Sequence, residues 1–259
     1  MASSDDSGPG VALITGASRG IGLAIAADLV AAGFQVAITA RDADRLAQAR
    51  QALPPDAVVS SIAADLTEPD APQRILEQVV ATLGPPRVLV NNAGSAPSER
   101  FDKTVLADLD TALALHVRAP FLLLQAALPS LRAAPRSCAV QIASTAGLTG
   151  FPFTSAYTAA KHGMVGLCRA LAAEFGSKPP RVYAVCPGFV DTEITRQAAT
   201  EIAARGSKTF DEAMEALGGM NRIGRMHRPA EIAAAVLHLV REQPEGCVLD
   251  LDRKVPAFV

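Results

Sequence analysis

Tyr157 and Lys161 stand four residues apart in the stretch Ser144 to Lys161, which reads STAGLTGFPFTSAYTAAK. In the Ala-rich helix that this run predicts, both side chains leave one face, a turn from each other. A phenol beside an ammonium makes a usable acid near neutral pH. Free Tyr titrates near ~10, and a drop of ~3 units takes about 4 kcal/mol of differential stabilisation. Ser144, thirteen residues before the Tyr, is placed to donate a second hydrogen bond to the same substrate oxygen. Y-x-x-x-K is also a commonplace spacing on solvated helices, so the pair alone does not decide its use.

The elements that would hold these residues alternate along the chain. Apolar runs at 11–15, 35–40, 58–63, 87–91, 138–143, 182–185 and 247–251 predict seven strands. Helical patterns at 21–32, 43–53, 71–83, roughly 103–133, 154–175, about 192–217 and 229–240 fall between them. Strands apolar throughout and separated by helices imply an α/β, doubly wound parallel sheet covered on both faces. No linker or repeat divides the chain. Residues 1–10 are expected to form a loose tail and 11–259 a single domain.

At the first strand-to-helix junction stands Thr15-Gly16-Ala17-Ser18-Arg19-Gly20-Ile21-Gly22. Glycines there let backbone N–H groups approach a pyrophosphate at the positive end of a helix. The spacing G-x-x-x-G-x-G departs from the common G-x-G-x-x-G, and one or two of its glycines serve a tight turn equally well. At the end of the second strand, Ala40 and Arg41 offer a cation where a carboxylate would accept from a free ribose 2′-hydroxyl. With Arg19 nearby, the pattern favours a 2′-phosphate and hence NADP(H) over NAD(H). Asn91-Asn92-Ala93-Gly94 suits either a turn or a polar contact in the ligand crevice. Asp65 suits a helix cap or an adenine contact.

Composition excludes several functions. A net charge of −2 with no basic stripe argues against a nucleic-acid surface. Cys138, Cys168, Cys186 and Cys247 lie far apart, and read as free thiols in a reducing cytoplasm with no zinc site. The start MASSDDSGPG is unlike a signal peptide, and the most apolar region, 112–129, is interrupted by His116, Arg118 and Pro120, so no membrane span is expected.

These motifs together resemble the short-chain dehydrogenase/reductase family over nearly the whole chain. T-G-x-x-x-G-I-G, N-N-A-G, Ser144, Tyr157-x-x-x-Lys161 and Pro187-Gly188 come in the family's order and at its spacings. The resemblance implies a Rossmann-like fold and hydride transfer between a nicotinamide and a carbonyl or alcohol. It further implies Tyr157 as general acid/base, Ser144 orienting the substrate oxygen, and Lys161 holding the nicotinamide ribose and lowering the Tyr pKa. Gly16, Ser18, Arg19, Gly20, Ile21, Gly22, Arg41, Asp65, Leu66, Asn92, Ala93, Gly94, Pro187, Gly188, Val190 and Thr192 would line the cofactor. No metal is implied.

Two positions depart from the family. His116 stands where it carries an Asn, 28 residues before Ser144. In the family that Asn helps hold a water next to the Lys, and a His there is expected to change protonation between pH 5 and 8. The chain is then either a working reductase with a relay through or around His116, or a cofactor-binding relative with little catalysis. At the C-terminus, Leu249-Asp250-Leu251-Asp252-Arg253-Lys254 replaces a Gly-Gly turn with charge, which touches the tail's subunit contacts.

Residues 189–224 correspond to the family's substrate lid, with Phe210, Met214 and Leu217 on one apolar face and Leu148, Phe151 and Phe153 flanking the catalytic run. The wording around Cys186 to Glu193 and Met220 to Arg225 is closest to reductases of 3-oxoacyl thioesters and polyketide carbonyls. The alternative is a dehydrogenase of a cyclic, steroid-like or sugar alcohol. Helices 119–133 and 154–175 carry more apolar surface than one sheet face covers, pointing to a helix-to-helix interface. The resemblance implies a homotetramer.

Overall fold

Val11–Thr15 (β1) is buried at every residue, as an apolar strand must be when helices cover both faces of a parallel sheet. The structure, a computed structural model, describes residues 9–206 and 208–259. Along the chain follow α1 (Gly20–Ala31), β2 (Gln35–Ala40), α2 (Ala43–Gln51), β3 (Val59–Ala63), α3 (Ala71–Leu83) and β4 (Pro86–Asn91). Then come α4 (Leu106–Leu113), α5 (Ala119–Ala133), β5 (Cys138–Ile142), α6 (Ser155–Phe175) and β6 (Arg181–Cys186). The chain finishes with α7 (Glu193–Arg205), α8 (Phe210–Gly219), α9 (Pro229–Glu242), β7 (Val248–Asp250) and β8 (Ala257–Phe258).

The strand order is β3-β2-β1-β4-β5-β6-β7-β8. β1 to β7 run parallel, the seven strands expected. A short eighth, β8, closes the edge antiparallel to β7, pairing Leu249 with Phe258. Two residues after Pro256 are too few to show a period, which hid this strand in the sequence. On one face Ile14, Ile38, Val90, Val140 and Tyr183 pack with Ile25 of α1 and Val236 of α9. On the other, Leu13, Leu89 and Ala139 pack with Ile75 of α3 and Leu123 of α5.

The helical region around 103–133 is not uniform. Between α4 and α5, residues Ala114–Arg118 form a π turn, in which the Ala119 N–H donates to the Ala114 carbonyl five residues back. Pro120 lacks an N–H for the residue-116 carbonyl, and such a break is relieved by widening the turn. The stretch Leu106–Ala133 has the length and apolar composition of a membrane span, unlike the expectation, but α5 lies against β4 and β5 with Leu123, Leu124, Ala127 and Leu131 buried.

The predicted insertion at 192–217 resolves into two helices, α7 and α8, which pack on each other. Ala199, Ala213 and Leu217 form their common core with Phe189, Met214 and Met226. Phe210, expected on the same apolar face, is exposed. The loose tail expected over 1–10 falls largely outside the described residues. Pro9 and Gly10 are anchored, the Gly10 carbonyl accepting from Gln35 N at 3.1 Å.

Candidate active site

Strand order reverses at β1, whose neighbours β2 and β4 send the chain to opposite sides. The crevice above the C-terminal ends of β1 and β4 is where open α/β sheets bind ligands. Thr15, buried at the end of β1, holds that crevice together. Its hydroxyl accepts from the N–H groups of Asn92 and Ala93, both at 3.0 Å. The Asn92 amide donates to the Thr15 and Gly16 carbonyls, each at 3.0 Å. Asn92 is thus a brace between the glycine turn and β4, its amide N–H groups already committed. A side chain at Gly16, which has φ +63°, would begin 2.6 Å from the Ala93 Cα, so the close approach of the two loops requires glycine.

The first turn of α1 is left open for an anion. Its N-cap, Arg19, makes no side-chain cap bond, and the turn carries no acidic residue. Uncapped N–H groups at a helix start, with Ser18, Gly20, Ile21 and Gly22 around them, fit a pyrophosphate. Thr192 lies across this turn, its methyl 3.4 Å from where a Gly20 Cβ would stand.

Ser144 follows β5 in extended backbone and caps the next turn, accepting from Ala146 N at 3.1 Å. The Tyr157 phenol lies near enough to Ser144 for that hydroxyl to steady its ionised form. Lys161 leaves the same face of α6 and is buried, its Nζ donating to the Ile142 carbonyl at 2.7 Å. The ammonium sits 5.7 Å from the Tyr157 ring centroid. Burial lowers the Lys161 pKa to about 8. Burial raises the Tyr157 pKa, opposed by the Ser144 hydroxyl. The Lys161 ammonium is engaged by the Ile142 carbonyl and takes no part in this shift.

His116 sits in the π turn, 1% exposed. Its Nε2 is 2.9 Å from the Ser95 carbonyl, which can only accept, so Nε2 carries the proton. Nδ1 is then a bare acceptor, and it has no partner. Burial first, then the Lys161 charge, depress the His116 pKa to about 3, against the Ser95 contact. The expected titration between pH 5 and 8 does not occur at this residue. Gly94 lies against the ring, and a Cβ there would stand 2.8 Å from His116 Cε1.

The remaining expected cofactor residues divide. Asp65 accepts from Thr67 N at 2.8 Å and Thr67 Oγ at 2.7 Å, capping a turn rather than a helix. Its carboxyl is held low by Thr67 and Arg41 against desolvation that raises it. Leu66 has its side chain in the core. The Pro187 carbonyl accepts from Thr145 N at 2.9 Å, and Gly188 lies beneath Asn221, whose Oδ1 would be 2.2 Å from a Cβ. Val190 is buried and bridges to His227.

Arg45, one turn beyond Arg41 on α2, was not singled out by sequence, and its i, i+4 relation to Arg41 was the available signal. It donates to Glu193, at 3.3 Å to Oε1 and 3.1 Å to Oε2, and Arg19 bonds the same carboxylate. All four cysteines are free. Among the described residues no group of His, Cys, Asp and Glu is arranged to hold a metal.

The short chain dehydrogenase family model matches residues 10–203. A putative ketoacyl reductase of the granaticin polyketide synthase from Streptomyces violaceoruber is 34% identical, over 90% of this chain and 86% of its own. A 3-oxoacyl-(acyl-carrier-protein) reductase of Pseudomonas aeruginosa is 33% identical over 87% of each. The NADPH-bound structure of a Pseudomonas aeruginosa short chain oxidoreductase containing an atypical catalytic center superposes with a TM-score of 0.82. It is 30% identical and covers 93% of this chain and 94% of that one. With the uncapped α1 turn at the strand reversal and Ser144, Tyr157 and Lys161 gathered beyond the end of β5, the chain belongs to the short-chain dehydrogenase family, nicotinamide-dependent oxidoreductases acting on CH–OH and C=O groups.

Proposed function

We propose that this protein is an NADP(H)-dependent carbonyl reductase whose substrate is a 3-oxoacyl thioester or a similar ketone. The observation that carries the reading is the convergence of Ser144, Tyr157 and the buried Lys161, whose ammonium lies 5.7 Å from the Tyr157 ring centroid. A bound nicotinamide supplies the hydride. Gly16, Ser18, Gly20, Ile21 and Gly22 would hold its pyrophosphate, Asp65, Asn92, Ala93 and Gly94 would border the adenosine side, and Val190 and Thr192 the carboxamide. Arg19 and Arg41 would hold the 2′-phosphate, and Lys161 the nicotinamide ribose.

In reduction, Ser144 donates to the carbonyl oxygen and Tyr157 delivers its proton there as the carbon accepts hydride. The phenol is protonated at neutral pH, the form that a proton donor requires. The similarity to a ketoacyl reductase and a 3-oxoacyl reductase supports the thioester. Helices α7 and α8 form the lid over it. The test is turnover with NADPH and NADH on an acetoacetyl thioester and on a cyclic ketone. Preference for the cyclic ketone replaces this reading with the cyclic-alcohol alternative.

A second reading concerns speed. The bare Nδ1 of His116 is an acceptor suited to a water that passes protons to Lys161, and its ring stands where the family has Asn. Wild type binding NADPH without reducing any ketone, alongside an active His116→Asn, establishes a cofactor-binding relative in place of an enzyme. The protein acts in the cytoplasm as a homotetramer through α5 and α6, a face on which Phe121 is exposed. Sedimentation tests the assembly.

A further inference from the structure

The carboxylate of Glu193 is shared by two guanidiniums from separate parts of the fold. Arg19 comes from the glycine turn and Arg45 from α2, while Glu193 opens α7. Arg45 also reaches Asp42, at 3.5 Å. All three members of the cluster are open to solvent, with side-chain exposures of 43% for Arg19, 46% for Arg45 and 55% for Glu193. Ion pairs so exposed are weak and exchange readily. Two guanidiniums converging on one anion are the donor set that a phosphate monoester takes, with more charge and more acceptor oxygens than a carboxylate.

We propose that Arg45 joins Arg19 in the seat of the cofactor's 2′-phosphate, and that Glu193 is a built-in competing anion which the phosphate displaces. The inference rests on the NADP(H) reading above and adds to it a residue of the lid. Arg45 follows the end of β2, the strand end that meets the adenosine ribose in this fold. Arg19 sits at the N-terminus of α1, within one side chain's length of the pyrophosphate turn. Glu193 lies immediately after Thr192, which is packed over Gly20, so the carboxylate reaches the seat only from the root of α7. Its displacement therefore removes the ion pairs that tie the first turn of α7 to Arg19 and Arg45, and leaves the Thr192 contact with Gly20 in place. A ligand without the 2′-phosphate leaves the Glu193 contacts in place, and Glu193 thereby sets how strongly the two cofactors are distinguished.

The test measures binding to the full, cofactor-free chain by calorimetry, with adenosine 2′,5′-bisphosphate and ADP as probes. Glu193→Gln keeps the shape and removes the charge. It is expected to bind the bisphosphate about three- to tenfold tighter than wild type, the scale of one or two exposed ion pairs, with ADP unchanged. Arg45→Gln is expected to weaken the bisphosphate alone and to shrink the gain from Glu193→Gln. Unchanged or weaker bisphosphate binding in Glu193→Gln overturns the inference, as does equal tightening of both probes, which would place Glu193 against the 5′-phosphate that they share. If wild type prefers the bisphosphate while Glu193→Gln has no effect, this inference fails and the NADP(H) reading stands. If wild type binds the two probes equally and neither arginine matters, the NADP(H) reading itself fails.

Discussion

The imidazole of His116 stands edge-on to the Tyr157 ring, with 5.4 Å between centroids and 83° between planes. The position of the Tyr157 ring is therefore set in part by a residue on a π turn. Such turns recur at functional sites because they rotate a side chain out of helical register.

Burial of a neutral His116 gives stability a defined pH dependence. The folded pKa of about 3 lies below the ordinary 6.5, so the unfolded chain binds more protons between those values. Stability contributed by the neutral ring is present above pH 6.5 and is lost as pH falls toward 3. At pH 5 the loss is about 2 kcal/mol relative to a non-titrating residue. Denaturant melts of wild type and His116→Asn at pH 7.5 and pH 5 check this: the variant gains on wild type in acid. A gap independent of pH sinks the assignment.

Gly94 and His116 form one packing unit. A Cβ at position 94 would stand 2.8 Å from the ring, and the fully buried imidazole cannot retreat without disturbing Tyr157. Gly94→Ala is expected to cost about 1–3 kcal/mol through overpacking. In a His116→Ala background the same change costs under about 0.5 kcal/mol, leaving a coupling energy of order 1 kcal/mol or more. Equal costs in both backgrounds remove the contact as the cause.

Tyr157→Phe removes only the phenol oxygen. Turnover is expected to fall by about 10²- to 10⁴-fold, the range for loss of a positioned acid, while NADPH affinity changes little. Retention of more than a tenth of wild-type turnover assigns the proton to another group.

The Tyr157–Lys161 pair was legible because a helical period of 3.6 residues fixes which side chains share a face, whatever surrounds them. The parallel sheet was legible for a similar reason, since strands apolar on both faces leave a continuous signature. What spacing cannot carry is the state of a side chain after packing. That the Lys161 ammonium donates to the Ile142 carbonyl, nineteen positions back, is not legible in the Tyr-Lys spacing. His116 looked like a pH switch until burial against Tyr157 and Gly94 fixed it as neutral. Asn92 read as a ligand contact or a turn residue, yet its amide closes the gap between two loops 76 positions apart. The Glu193–Arg45 contact spans 148 positions, and only the folded crevice brings these two side chains together.

The C-terminal charges that replace a Gly-Gly turn fasten the segment that follows α8, the root of the proposed lid. Asp250 is 1% exposed and accepts from Arg222 at 3.0 Å and Arg253 at 2.9 Å. Asp252, also buried, accepts from Arg222 N at 3.0 Å and faces His227 at 3.4 Å. Asn221 completes the junction, accepting from Phe189 N at 2.7 Å and donating to the Phe189 and Arg225 carbonyls at 2.9 and 2.8 Å. Removing the Asp250 carboxylate leaves the buried Asp252 N–H without its acceptor, while Arg222 and Arg253 reach water. Asp250→Ala is expected to destabilise the protein by about 1–3 kcal/mol. Asp250→Asn keeps an acceptor oxygen and costs less. Because the lost contacts lie at the lid root and not at Tyr157, the milder variant raises KM for the ketone more than it lowers kcat. Steady-state kinetics and a denaturant melt of Asp250→Asn check both parts, and a fall in kcat at constant KM assigns the cluster to the catalytic step instead.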